Sequence, residues 1–180
     1  MIRTLSKVAA VALVLFGTGA CKDEPLDVSY GASRIAPQAD VRGGPNDVEA
    51  IEQIVNTFDQ TWGSDPVTYA SQYAAADFVG PNGANLTSAA AITGLYTFLF
   101  NTVFAGSTRT STIRNLTFLT GTIAVLDIDA QVTGFGALPP GVVPWAPGII
   151  RAREKNILIK RGCEWQIVLH QQTAVAPGVP

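Results

Sequence analysis

The sequence predicts an α+β protein in which helices come first and an antiparallel sheet follows. Apolar residues recur every three or four positions, the spacing of amphipathic helices, in segments between residues 46 and 103. From Ser107 onward the pattern changes to the two-residue alternation of strands, and short turns separate most of these segments. Strands joined by short turns pair antiparallel, and helices that precede such a sheet pack on one of its faces.

Three helices are predicted. The first begins at the cap residue Asn46, carries an acidic first turn and ends at Gly63. The second begins at Asp65-Pro66, because Asp caps helices and proline is accepted in the first turn. The third begins at Thr87 or Ser88. The apolar stripe of the first helix consists of Val48, Ile51, Ile54, Val55, Phe58 and Trp62. The apolar stripe of the third helix consists of Ile92, Leu95, Tyr96, Leu99, Phe100 and Val103.

A short strand and four long ones are predicted. The short strand, Asp77 to Val79, ends in a cluster of turn-forming residues before the third helix. The long strands run from Thr110 to Leu119, from Ile123 to Thr133, from Ile149 to Lys160 and from Trp165 to Val175. Their alternating patterns and short connections predict an antiparallel meander.

One domain, residues 46–175, is predicted between an export signal and a short disordered tail, residues 176–180. Residues 1–20 have the pattern of a signal peptide: basic residues, an apolar run from Val8 to Phe16, and then small residues. Residues 21–45 are rich in Pro, Gly, Asp and Ser, which predicts a flexible tether. We therefore expect an exported protein of the periplasm or cell envelope.

Cys21 directly follows the small residues, and two fates are open to it. The stretch resembles a bacterial lipobox, in which the cysteine is lipidated, although Thr18 stands where leucine is usual. The alternative is a disulfide with Cys163, the only other cysteine, which an exported protein permits. Since a lipidated cysteine has no thiol to oxidise, only one fate can hold, and lipidation is the one we favour.

Composition and missing motifs argue against several classes of protein. The net charge is -2 and no Lys/Arg cluster occurs, so nucleic acid is not an expected partner. No G-x-G-x-x-G follows a strand, and no cofactor is predicted. One histidine and two cysteines are too few for a nitrogen and sulfur metal site, so no metal is predicted. No G-x-S-x-G elbow occurs, which argues against a hydrolase triad.

The order of these elements resembles a known superfamily. The chain resembles SnoaL-like proteins of the nuclear-transport-factor-2-like superfamily. The resemblance lies in the order of the first helix, the Asp65-Pro66 helix, the strand with Phe78, the third helix and the long strands ending in Trp165-Gln166-Ile167-Val168. The turn Gly162-Cys163-Glu164 and the junction Phe104-Ala105-Gly106-Ser107 resemble the SgcJ/EcaC group among them. The resemblance covers about residues 46 to 175.

This resemblance implies a cone-shaped α+β barrel, in which a curved sheet wraps around the helices and encloses an apolar cavity. It also implies a homodimer formed through the sheet. It does not imply one reaction, because relatives include isomerases, dehydratases, cyclases, epoxide hydrolases and binding modules, and fold does not fix function.

Aromatic residues on the elements expected to line the cone are candidates for ligand binding, with simple core packing as the alternative. They are Trp62, Tyr69, Tyr73, Phe78 and Phe98. Asp77, beside Phe78, is a candidate acid or base if aromatic walls desolvate it, and otherwise a strand-end residue in water.

Asp127 and Asp129 are candidate acid–base residues because two carboxylates on one strand face can raise each other's pKa. The alternative is a solvated or dimer-facing strand, with Arg151, Arg153 or Lys155 as cross-strand partners.

His170 is the only histidine and a candidate general base. Neighbours on a strand point to opposite faces, so either His170 or Gln171 points inward. Parity with Trp165, Ile167 and Leu169 assigns the inward, ligand-binding place to Gln171.

The predicted function is binding of a small apolar or aromatic molecule in the cone, with acid–base catalysis as an extension. The alternative is a non-catalytic envelope lipoprotein that acts through dimer or partner contacts on its sheet. Contact with a membrane is expected only through a lipid on Cys21.

Overall fold

Three helices and six strands make up the part of the chain that the computed structural model describes, residues 43–138 and 141–178. The helices are α1 (Pro45–Thr61), α2 (Pro66–Ala70) and α3 (Ala89–Asn101). The strands are β1 (Tyr73–Val79), β2 (Asn85–Leu86), β3 (Thr108–Thr120), β4 (Ile123–Thr133), β5 (Ile149–Arg161) and β6 (Glu164–Ala174). The predicted signal peptide, Cys21 and nearly all of the tether lie outside the described residues.

Local signals set the helix ends. Ser88 caps α3 by accepting a hydrogen bond from the Ala91 backbone N–H at 3.2 Å, and Asp65 caps α2 in the same way. The prediction that Asn46 caps α1 was wrong by two residues. The cap is Gly44, because Pro45 occupies the first helical position and the Asp47 carboxylate accepts the Gly44 N–H at 3.3 Å.

The six strands form one curved, open sheet in the order β2-β1-β6-β5-β4-β3. The predicted antiparallel meander is confirmed for β3 to β6. The sheet is not antiparallel throughout, because β1 pairs with β6 in parallel. Strand β2, helix α3 and strands β3 to β5 lie between β1 and β6 along the chain, so no hairpin turn fixes the relative direction of these two strands. Strand β1 also begins earlier than predicted, at Tyr73.

A β-bulge interrupts β6. Leu158 pairs with Ile167 and Ile157 pairs with Leu169, so Val168 is the extra residue on the β6 side. The buried positions of β6 accordingly change parity, from Trp165 and Ile167 before the bulge to His170 after it.

The core lies between the helices and one face of the sheet, here called the inner face. On β4 this face carries the buried residues Ala124, Leu126, Ile128, Ala130 and Val132, at every second position. Helix α1 contributes Ile51, Ile54, Val55 and Phe58. Among the described residues, no helix is both long enough and apolar enough to cross a membrane.

Candidate functional site

An apolar cavity of about 210 Å³ opens between α3, the loop 80–84 and the inner face of the sheet. Five aromatic side chains contribute to its wall: Trp62, Phe78, Tyr96, Phe98 and Phe104. The aliphatic lining residues are Ala84, Leu95, Leu99, Ala130, Val132, Val142, Ile150, Ala152 and Ala174. Periodicity places them here, because α3 turns one stripe toward the sheet and the strands turn alternate residues toward α3.

The predicted aromatic ligand-binding residues separate into two groups. Trp62, Phe78 and Phe98 line the cavity, and Phe98 is 61% exposed. Tyr69 and Tyr73 do not line it. They are 1% and 3% exposed and lie in the aromatic core, where each packs on the Phe58 ring.

The cavity wall also includes Arg109, a buried cation on β3. Its Nη2 donates to Glu154 Oε2 at 2.9 Å, and its Nη1 donates to the Tyr69 hydroxyl at 2.8 Å. Its Nε donates to Ser111 Oγ at 3.0 Å and lies 3.3 Å from Asp59 Oδ1. One cation is therefore held between two carboxylates.

Electrostatics keep this group ionised. Burial by itself lowers the pKa of Arg109, but the adjacent Glu154 carboxylate offsets that effect and holds the pKa well above its ordinary value. Burial raises the pKa of Tyr69 to about 12, so its hydroxyl stays neutral and can accept the Arg109 hydrogen bond. Burial likewise raises the pKa of Tyr96 in the cavity wall.

Gln172 is the polar residue that β6 contributes to the cavity wall. Its Nε2 donates to Glu154 Oε1 at 3.1 Å, which links the Gln172 amide to the buried ion pair. The prediction that Gln171 faces inward was wrong, since Gln171 is exposed. The bulge at Val168 reverses the parity of the strand, so His170 and Gln172 take the inner face.

His170 is 1% exposed and is not among the residues that line the cavity. The ring of Phe78, which does line it, stacks on the His170 ring with a centroid distance of 4.5 Å. Its Nδ1 lies 2.7 Å from Asn156 Oδ1. Burial lowers the pKa of His170 to about 4, so the imidazole is neutral at pH 7. Its Nε2, the Tyr73 hydroxyl and Asn156 Nδ2 have no hydrogen-bond partner among the described residues.

Asp127 and Asp129 lie on the outer face of the sheet, as the alternative reading of the sequence expected. Asp127 Oδ1 lies 2.5 Å from Lys155 Nζ, while Asp129 lies 3.4 Å from Arg114 Nε and 3.6 Å from Arg153 Nε. Asp77 is exposed on β1. The fold therefore does not bring together the four candidates for acid–base chemistry, Asp77, Asp127, Asp129 and His170, and their catalytic role stays a prediction.

Cys163 lies exposed on the turn between β5 and β6 and is not a free thiol. Because Cys21 lies outside the described residues, lipidation and disulfide formation both remain predictions. Within residues 43–138 and 141–178, no group of His, Cys, Asp and Glu side chains is arranged to hold a metal ion.

Arg109, Glu154 and Gln172 form the polar part of the site, and none of the three was predicted from the sequence as a site residue. For Glu154 a signal was present: it shares the parity of Ile150, Ala152 and Leu158 on β5, and these three are apolar. Arg109 carried no comparable signal, because Thr108 and Thr110 flank it and no apolar alternation identifies its inner face.

Solved structures resemble this arrangement of three helices on a curved sheet. A ketosteroid isomerase-like protein from Erwinia carotovora atroseptica matches with a TM-score of 0.60 and 16% identity, over 74% of this chain and 100% of that one. An NTF-2 like protein of unknown function from Shewanella oneidensis matches with a TM-score of 0.53 and 12% identity, over 71% and 98%. The chain has the nuclear-transport-factor-2-like fold.

A putative scytalone dehydratase from Novosphingobium aromaticivorans is also similar to this chain in structure. Its TM-score is 0.55 with 13% identity, over 72% of this chain and 84% of that one. No protein-family model and no curated protein matches the chain. Identities this low support the fold alone, and the SgcJ/EcaC subgroup stays a prediction.

Proposed function

We propose that this domain binds a small, mostly apolar ring compound in the cavity between α3 and the sheet. The observation that carries the proposal is the composition of the wall, in which aromatic and aliphatic side chains surround a few polar groups. Ligand sites generally combine an apolar enclosure with a small number of placed polar groups.

The size of the cavity limits the ligand. Its volume of about 210 Å³ lies below the roughly 300–1,000 Å³ of sites for drug-sized molecules. One ring or two fused rings fit this space better than a larger skeleton. The names of two similar structures, a ketosteroid isomerase-like protein and a putative scytalone dehydratase, are consistent with a ring compound.

Binding is favoured over acid–base catalysis by the polar groups that line the cavity. The polar and charged lining side chains include Asn82, Arg109 and Gln172, with no carboxylate or imidazole among the lining residues described. Arg109 is committed to Glu154 and Tyr69. These groups can orient a ligand, whereas proton abstraction needs a base within reach of it. The Tyr96 hydroxyl in the wall is not such a base, because burial raises its pKa and keeps it protonated.

Calorimetric titration of the purified full-length chain with naphthol tests the proposal. We expect saturable binding that Ala174→Leu weakens by about tenfold, because added side-chain volume enters the space the ligand fills. Ala137→Leu is the matched control, since Ala137 is exposed and does not line the cavity. Absence of binding, or an equal loss in both variants with unchanged melting temperatures, would refute the proposal.

We further propose that the domain is exported, on the support of the signal-like pattern of residues 1–20. Cell fractionation tests export, and recovery of the mature protein from the cytoplasmic fraction would refute it. The same experiment decides between the two fates of Cys21, because a cysteine bonded to Cys163 cannot carry a lipid. If Cys21→Ser moves the protein from the membrane fraction to the soluble fraction, Cys21 is lipidated, and equal fractionation of the wild type and Cys21→Ser would refute lipid anchoring.

A further inference from the structure

The amide of Gln172 is fixed in one orientation by the ion pair behind it. Glu154 Oε2 accepts from Arg109, and Glu154 Oε1 accepts from Gln172 Nε2 at 3.1 Å. An ionised carboxylate can only accept hydrogen bonds, so the nitrogen of the amide must face it. Turning the amide over would bring two oxygens together, and Gln172 Oε1 is therefore the end left for another partner.

That oxygen belongs to a side chain in the cavity wall. Gln172 is half-buried and lines the cavity, and no donor hydrogen-bonded to its Oε1 is found among the described residues. Most of the surrounding wall is apolar and carries no hydrogen-bond donor for this oxygen. A ligand that covers this acceptor without pairing it removes it from water at a cost in free energy, so a ligand that supplies a donor gains relative to one that does not.

The charges around the cavity favour a neutral ligand. Arg109 is the cation that lines the described part of the cavity, and it already pairs with Glu154 at 2.9 Å and with Asp59 at 3.3 Å. No positive charge is left over for an anionic ligand. Bringing a carboxylate into an apolar enclosure without a free cation is costly.

We infer that the ligand is a neutral, phenol-like ring compound whose O–H or N–H donates to Gln172 Oε1. This inference rests on the proposed function and names its ligand class. Gln172 is the residue that sets the specificity, and Glu154 and Arg109 are positioning residues that act through it.

Calorimetry with three probes tests the inference: naphthol, its methyl ether, which has no donor, and naphthoate, which is charged. One neutral hydrogen bond should make naphthol bind about two- to tenfold tighter than the ether. Gln172→Met should reduce this ratio to about one. Gln171→Met is the matched control and should keep the wild-type ratio, since Gln171 is exposed and lies outside the cavity wall.

The outcomes separate the two ideas. If neither naphthol nor its ether binds, the proposed function fails and takes the inference with it. If both bind equally, if Gln172→Met keeps the preference, or if naphthoate binds as tightly as naphthol, the inference is overturned and the cavity proposal stands. Should Gln172→Met not fold, Gln172→Asn withdraws the amide by one carbon and carries the same expectation.

Discussion

Removing the guanidinium of Arg109 would leave a carboxylate buried without its cation. The Arg109 and Glu154 side chains are each 1% exposed and lie 2.9 Å apart. Arg109→Met keeps a long apolar side chain, but Glu154 loses its partner and the Tyr69 hydroxyl loses its donor. Breaking a buried ion pair from one side costs about 3–5 kcal/mol, a large share of the roughly 5–15 kcal/mol that stabilises a typical domain. For a domain of this size the melting temperature should fall by about 10–20 °C.

Urea denaturation followed by tryptophan fluorescence measures this loss. The double variant Arg109→Met/Glu154→Met removes both charges and should recover part of the stability, because an apolar replacement of a buried pair is often tolerated. Arg114→Met is the matched control: Arg114 is 47% exposed and pairs with Asp129 on the surface, so its loss should cost less than about 1 kcal/mol. A cost below about 1 kcal/mol for Arg109→Met, or a double variant no more stable than the single one, would refute the reasoning.

Three further predictions concern the core, the first helix and the outer face of the sheet. Burial lowers the pKa of His170 from 6.5 to about 4, so between these pH values the unfolded chain binds a proton that the folded chain does not. The free energy of unfolding should therefore fall by up to about 3 kcal/mol as pH drops through this range, and urea curves of His170→Gln should lack that part of the decline. Asp47→Asn should lower the free energy of unfolding by about 1–2 kcal/mol, because Asp47 Oδ1 accepts from Lys160 Nζ at 2.7 Å and from Trp165 Nε1 at 3.0 Å. Glu49 is exposed in the same helical turn, so Glu49→Gln should have little effect. If the chain dimerises through its sheet, replacing Asp127 and Asp129 by Ala should shift its mass toward the monomer in light scattering, and an unchanged dimer would count against that interface.

Much of the fold could be predicted from the sequence because the local signals agree with the tertiary structure. Strand β4 has the predicted bounds, since its strict alternation matches a sheet with one buried face. Strand β2 was missed because two residues carry no period. The parallel pairing of β1 with β6 was missed because it joins segments almost a hundred residues apart, and no local pattern encodes such a contact.

The candidate site was harder to predict, because its polar residues depend on long-range geometry. The Arg109–Glu154 pair joins β3 to β5 across the intervening strand β4. The choice between His170 and Gln171 as the inward residue depends on the bulge at Val168, and the alternation of β6 contains no signal for an extra residue there. Parity counted from Trp165 was sound as far as Ile167 and failed beyond it.

That extra residue decides which side chains of β6 face the cavity. In a strand of the same length without the bulge, strict alternation from Ile167 would turn Gln171 inward and send His170 and Gln172 to the solvent. Deleting Val168 would instead restore a regular strand and leave His170 and Gln172 on the inner face, because the residues after it keep their pairing with β5. A homologue that is one residue shorter at this point is therefore expected to keep the cavity wall, whereas one of equal length without the bulge is expected to present a different side chain to the ligand.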